Sequence, residues 1–132
     1  MIRPSSLLRR ALLADAVFSG IAAALLTVDA SALAPLLDLP EALLRETGLF
    51  LIAYTALVGW LSSRSSLLKS LVVVVIAGNA VWTVGSIALL LSGAVTPNAF
   101  GEAFVVAQAI ATGVFAELQY MGLRRSAGEA IA

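Results

Sequence analysis

Leu71 to Leu91, LVVVVIAGNAVWTVGSIALLL, decides the fold, and no charged residue lies anywhere between Lys69 and Glu102. About 20 apolar residues at a rise of about 1.5 Å cross about 30 Å of hydrocarbon as a helix, so this stretch predicts a membrane span. The whole chain agrees with it. Of 132 residues, 61% are hydrophobic, and the mean hydropathy is +1.02, well above the roughly half-apolar composition of a soluble domain. Each crossing with its turn takes about 25–35 residues, so the length predicts four spans with short connections in a single domain, residues 1–132.

Working outward, Arg64-Ser65-Ser66 closes the preceding helix and offers serine caps to the one beginning near Leu67. Thr96-Pro97 has the cap-then-proline signature of a fourth helix that stops at Arg124-Arg125, with Ser126 to Ala132 as a frayed tail. Pro35, Asp38 and Pro40 mark a turn region between the first two helices, and Glu41 suits the positive end of a helix dipole. The predicted helices are about 8–29, 42–62, 67–92 and 97–123. Arg9-Arg10 followed by an apolar run and Ala30-Ser31-Ala32 resembles a cleaved signal. Asp15 inside the apolar run and the length of that run favour a retained first span instead.

Lysine and arginine near span ends are retained on the cytoplasmic side. Seven of the eight, Arg3, Arg9, Arg10, Arg64, Lys69, Arg124 and Arg125, fall on one side of a four-crossing bundle; only Arg45 lies opposite. The expectation is an all-α antiparallel four-helix transmembrane bundle, multi-pass in a cell inner membrane, with both termini cytoplasmic. Trp60 and Tyr120, each four residues before an arginine on that side, suit the headgroup belt.

The chain has no histidine and no cysteine. This removes disulfides, iron–sulfur and haem–histidine ligation, His-box metal sites and His or Cys acid–base chemistry, and predicts no metal, no cofactor and no catalytic residues. No basic cluster is large enough for nucleic acid. Small-residue ridges at Ala16/Gly20/Ala24 and Ser19/Ala23/Thr27 on the first helix, and Ala109/Gly113 on the fourth, suit close helix approach within the bundle or between subunits.

The remaining information lies in polar residues that a bilayer makes expensive. Tyr54 and Asn79 fall at similar depth near the bilayer centre, on neighbouring helices, where they can share a hydrogen bond. Trp82 and Ser86 share a face with Asn79, and Gln108, Thr112 and Gln119 form one face of the fourth helix pointing into protein. Asp15 and Glu117 lie about 7–10 Å inside the cytoplasmic end by helical rise. An intramembrane carboxylate suggests a functional site by default, although arginines in snorkelling range can also satisfy it. Two readings therefore stand for this pair: ion pairing with Arg9, Arg10, Arg124 or Arg125, and proton or substrate coupling, in which mutual repulsion would raise a pKa.

At Leu44-Arg45-Glu46-Thr47-Gly48, Tyr54, Trp60, Asn79-Ala-Val-Trp82 and Phe115-Ala-Glu-Leu-Gln-Tyr-Met-Gly-Leu-Arg124, the chain resembles small uncharacterised four-helix bacterial integral membrane proteins. The resemblance implies a bacterial inner-membrane location. In size the chain is also similar to small multidrug-resistance transporters, which use an acidic residue on the first helix, but that family's motifs are not found around Asp15. The expected function is that of a non-enzymatic structural or accessory module of a membrane assembly, in contact with the lipid bilayer and with a membrane-protein partner or further copies of itself. The alternative is a small proton-coupled transporter working as an oligomer, with Asp15 and Glu117 carrying the proton.

Overall fold

The computed structural model describes the backbone of residues 1–131 and the side chains of residues 1–126. The described residues form five helices: α1 (Ser6–Val28), α2 (Ala30–Leu37), α3 (Glu41–Ser63), α4 (Lys69–Ser92) and α5 (Ala99–Ile131). Four stretches, Ser6–Val28, Glu41–Ser63, Lys69–Ser92 and Ala99–Ser126, are long and apolar enough to cross a membrane.

The helix ends depart from the sequence expectation where side chains find tertiary partners. α1 starts at Ser6 because Ser5 caps it: the Ser5 hydroxyl accepts the Leu8 N–H at 3.1 Å. The same residue ties α1 to α5, its hydroxyl donating to the Gly122 carbonyl at 2.8 Å and its N–H to Ser126 Oγ at 2.7 Å. The tail expected from Ser126 therefore begins inside α5, with Ser126 itself fully buried; the side chains of 127–132 lie outside the described residues. No serine caps α4. Leu67 instead exchanges two backbone hydrogen bonds of 2.8 Å with Ile2, which fastens the α3–α4 loop to the N-terminus, and α4 starts at Lys69.

The turn expected between the first two spans contains α2. Its sequence, ASALAPLL, is mostly good helix former, and Pro35 removes only one N–H before Asp38 closes the helix in the left-handed region at φ 55°. The cap of the last span is Asn98, not Thr96: its Oδ1 accepts the Gly101 N–H at 2.9 Å, and its Nδ2 donates to the Leu36 carbonyl at 2.8 Å. Asn98 thus joins the end of α2 to the start of α5. Asn98→Ala is expected to lower stability by about 1 kcal/mol through loss of the cap, with Asn98→Asp intermediate because it keeps the cap and loses the α2 link. Thermal unfolding in detergent measures both.

Around the bundle the order is α3, α1, α5, α4. Close packing joins α1 to α3, α4 to α5 and α1 to α5, while α3 and α4, although consecutive, make no comparable approach. Following α1 forward, Arg9 meets Ser62, Asp15 meets Tyr54 and a Cβ on Gly48 would meet Thr27. The small-residue ridges expected from the sequence lie in these contacts in part: Ala16 and Ala23 of α1 and Ala109 of α5 are buried and Gly20 faces Thr55, whereas Ala24 is exposed. Small residues let backbones approach in lipid, where apolar side chains gain little from leaving their solvent.

Two apolar layers fill the interior. Leu8, Leu12, Val58, Leu61, Leu67, Val72, Val75 and Leu123 close the end that carries the arginines; Leu26, Leu37, Leu39, Leu44 and Val105 pack at the α2 end. Trp60 and Tyr120 are half exposed. Each stacks under the arginine four residues on, Arg64 at 5.5 Å and Arg124 at 5.9 Å from the ring centroid.

Candidate functional site

The inward stripe of α1 runs Leu8, Leu12, Asp15, Ser19, Ala23, Leu26, with helical spacing that is apolar except at its middle. Asp15 is completely buried there. Each of the other three spans turns one polar side chain toward it. Its Oδ2 accepts the Tyr54 hydroxyl of α3 at 2.6 Å, the Asn79 amide of α4 at 3.0 Å and the Gln119 amide of α5 at 2.8 Å. Its Oδ1 accepts Ser19, one turn further along α1, at 3.0 Å.

The donors are also bound to one another. Asn79 donates its second amide hydrogen to Gln119 Oε1 at 3.0 Å, and the Tyr54 oxygen lies 3.1 Å from Asn79 Oδ1. Tyr54 has one proton, and the shorter contact gives it to the carboxylate. Asp15 is therefore a buried acceptor surrounded by neutral donors, with no cation: among the described residues the only salt bridge joins Arg45 and Glu41, exposed on α3.

Three sequence expectations are corrected at this site. Asp15 does not pair with Arg9 or Arg10. α1 begins early enough that both arginines lie in its first turns, and Arg9 donates to the Ser62 carbonyl at 2.8 Å instead. Asp15 also lies deeper than its distance from Arg10 indicated, level with Tyr54 and Asn79 near the middle of the spans. Glu117 does not join it, because Glu117 is exposed on the outer side of α5 while Gln119 is completely buried. Two residues along a helix turn a side chain by about 200°, so only one of the two can face α1.

A second polar layer lies one turn toward the α2 end. Trp82 Nε1 donates to Gln108 Oε1 at 2.6 Å, and Gln108 Nε2 donates to Ser86 Oγ at 2.9 Å and to the Val105 carbonyl at 2.8 Å. Thr83 and Thr112 share a hydrogen bond of 2.8 Å. The structure thus gathers Asp15, Tyr54, Asn79 and Gln119 into one cluster and Trp82 and Gln108 into the next. Ser19, read from sequence only as part of a small-residue ridge, is the member that was missed; its position four residues after Asp15 was the available signal.

α3 and α4 do not pack closely against each other, and a cleft of about 190 Å³ lies between them, backed by α1 and α5. Ser19, Tyr54 and Asn79 line its polar end, and Phe50, Trp82 and Phe104 its apolar walls. Phe50 stacks on Trp82 at 5.8 Å with the rings 10° apart, bridging α3 and α4 by aromatic contact. An apolar cavity of about 150 Å³ suffices for benzene, so the cleft has room for one aromatic ring or part of an acyl chain. Asp15 does not line it and meets it only through its hydroxyl and amide donors. Among the described residues no group of three or more His, Cys, Asp or Glu is placed to hold a metal ion. No family model, no curated protein and no solved structure matches this chain.

Proposed function

We propose that the chain is a non-enzymatic integral membrane module, four antiparallel spans with both ends on the cytoplasmic side of a bacterial inner membrane, serving as an accessory component of a larger membrane assembly. One observation carries this reading: each span commits a polar side chain to Asp15, and the cluster is sealed from the arginine-bearing end by Leu8, Leu12, Val58, Leu61, Val72, Val75 and Leu123. A network of this kind fixes which helix faces meet, and the apolar plug below it offers neither proton nor solute a polar route. The absence of histidine and cysteine from the sequence and the sidedness of its arginines support the remaining parts of the reading.

The test is native mass spectrometry after gentle extraction from the membrane of origin. A stoichiometric membrane-protein partner or a defined homo-oligomer is the expected result; an unaccompanied monomer under conditions that preserve known complexes overturns the reading.

The carrier reading draws support from one feature, a buried carboxylate without a counter-cation behind an open cleft. It predicts proton uptake into proteoliposomes under an imposed potential, abolished in Asp15→Asn. The module reading predicts no uptake above protein-free liposomes in either form, and a pH-sensitive dye inside the vesicles distinguishes them.

A further inference from the structure

At the arginine-bearing end a groove separates α4 from α5. Lys69 and Arg124 stand at its rim, and Val73, Ile76, Tyr120 and Leu123 line it. Val73 and Tyr120 are about half exposed (46% and 52%), so the groove opens outward along the side of the bundle. Its chemistry changes with depth, from two cations, Lys69 at the start of α4 and Arg124 in α5, to aliphatic side chains one to two turns further in. This is the polarity profile of a phospholipid, with the phosphate outermost and the acyl chains beneath.

The two cations are available to a ligand. Neither forms a salt bridge among the described residues. The Arg124 guanidinium is held over the Tyr120 ring, 5.9 Å from its centroid, so its planar fork of donors is oriented in advance. Among the described residues of α5 near this groove, the acidic side chain is that of Glu117, which is exposed. It lies seven residues, or about 10 Å of helical rise, deeper than Arg124, below the level of a phosphate at the rim. Arg125, exposed beside Arg124, adds to the positive field at this end.

We propose that the α4–α5 groove binds one anionic phospholipid, its phosphate held between Lys69 and Arg124 and an acyl chain lying over Val73 and Ile76. Charge complementarity selects the occupant. Two cations with no salt bridge among the described residues prefer a headgroup of net negative charge to a zwitterionic one, whose own ammonium they repel, and basic pockets between spanning helices are suited to such headgroups. The proposal is independent of the role of Asp15, since neither Asp15 nor any of its hydrogen-bond partners lines the groove.

The protein in detergent is titrated with phosphatidylglycerol, phosphatidylcholine or inorganic phosphate, and the bound species are counted by native mass spectrometry. Wild type should retain one phosphatidylglycerol with roughly 10- to 30-fold preference over phosphatidylcholine, as expected for two cations near a headgroup. The Lys69→Gln/Arg124→Gln double variant should bring that preference to about twofold or less, with each single variant in between. Both residues are exposed, and unchanged far-UV circular dichroism checks that the variants fold. Arg10→Gln, at the same end but outside the groove, should leave the preference intact. Equal binding of the two lipids by wild type, an equal loss in Arg10→Gln, or displacement of the lipid by millimolar inorganic phosphate overturns the proposal.

Discussion

Asp15→Ala is expected to destabilise the bundle by about 2–4 kcal/mol, while Asp15→Asn stays within about 1 kcal/mol of the parent. Alanine removes the acceptor on which α3, α4 and α5 converge. Part of the network survives, because Tyr54 can turn to Asn79 Oδ1 and Asn79 keeps Gln119 Oε1. The Gln119 amide, one Asn79 hydrogen and the Ser19 hydroxyl lose their partner, and a buried donor left without one costs about 1–3 kcal/mol. Hydrogen bonds between membrane helices average about 0.6 kcal/mol, and removing a carboxylate relieves its own desolvation, so the total stays below the simple sum.

Asparagine behaves differently because one of its two oxygen positions survives. Its carbonyl can take the place of Oδ2, the atom that accepts three of the four bonds, while its amide faces Ser19, whose oxygen can accept. Unfolding in mixed micelles with increasing SDS, followed by far-UV circular dichroism, gives the comparison. Asp15→Ala as stable as wild type means that the cluster does not hold the helices together. Asp15→Asn as damaged as Asp15→Ala means that the charge itself, and not the acceptor geometry, is what the fold needs.

Gly122→Ala is the second large effect, about 1–3 kcal/mol from overpacking and more if the hydrogen bonds beside it also break. A Cβ on Gly122 would lie 2.6 Å from both the N and Cα of Leu8 and 2.9 Å from its Cβ. Backbone atoms cannot rotate out of the way, so α1 and α5 would have to move apart. That movement strains the Ser5 to Gly122 and Ser5 to Ser126 bonds of 2.8 and 2.7 Å and, further along the same pair of helices, the Gln119 to Asp15 bond of 2.8 Å.

Gly85 on α4 is the control, since a Cβ there meets nothing within 4 Å. Gly85→Ala should be neutral or slightly stabilising, because glycine is about 1 kcal/mol poorer than alanine in a helix interior. If Gly122→Ala and Gly85→Ala have the same SDS midpoint, α1 and α5 are not in the close contact described.

These two sites also mark how far the sequence could be read. Tyr54, Asn79, Gln108 and Gln119 were legible as interior residues because each interrupts an apolar run at helical spacing, and a polar side chain facing lipid is costly. Asp15 was legible as important but not as solved. Its depth was judged from Arg10, and an arginine marks the membrane edge only if its side chain points there, whereas Arg9 beside it reaches across to a carbonyl of α3. Glu117 and Gln119 present the same difficulty. Both are polar, two residues apart, and nothing local states which of the opposite faces meets α1.

The sequence by itself determined four stretches long and apolar enough to cross a membrane, their approximate limits and the exclusion of histidine and cysteine chemistry. Those properties follow from composition and from the length of apolar runs, which are local. Only the tertiary structure decided that α1 lies between α3 and α5, that a cleft lies between α3 and α4, that α2 folds back on the bundle, and that Asp15 is satisfied by neutral donors instead of arginine. Each of these depends on which backbones can touch. Glycines such as Gly48 and Gly122 settle that by steric fit between residues far apart in the chain, a relation that no periodicity along a single helix encodes.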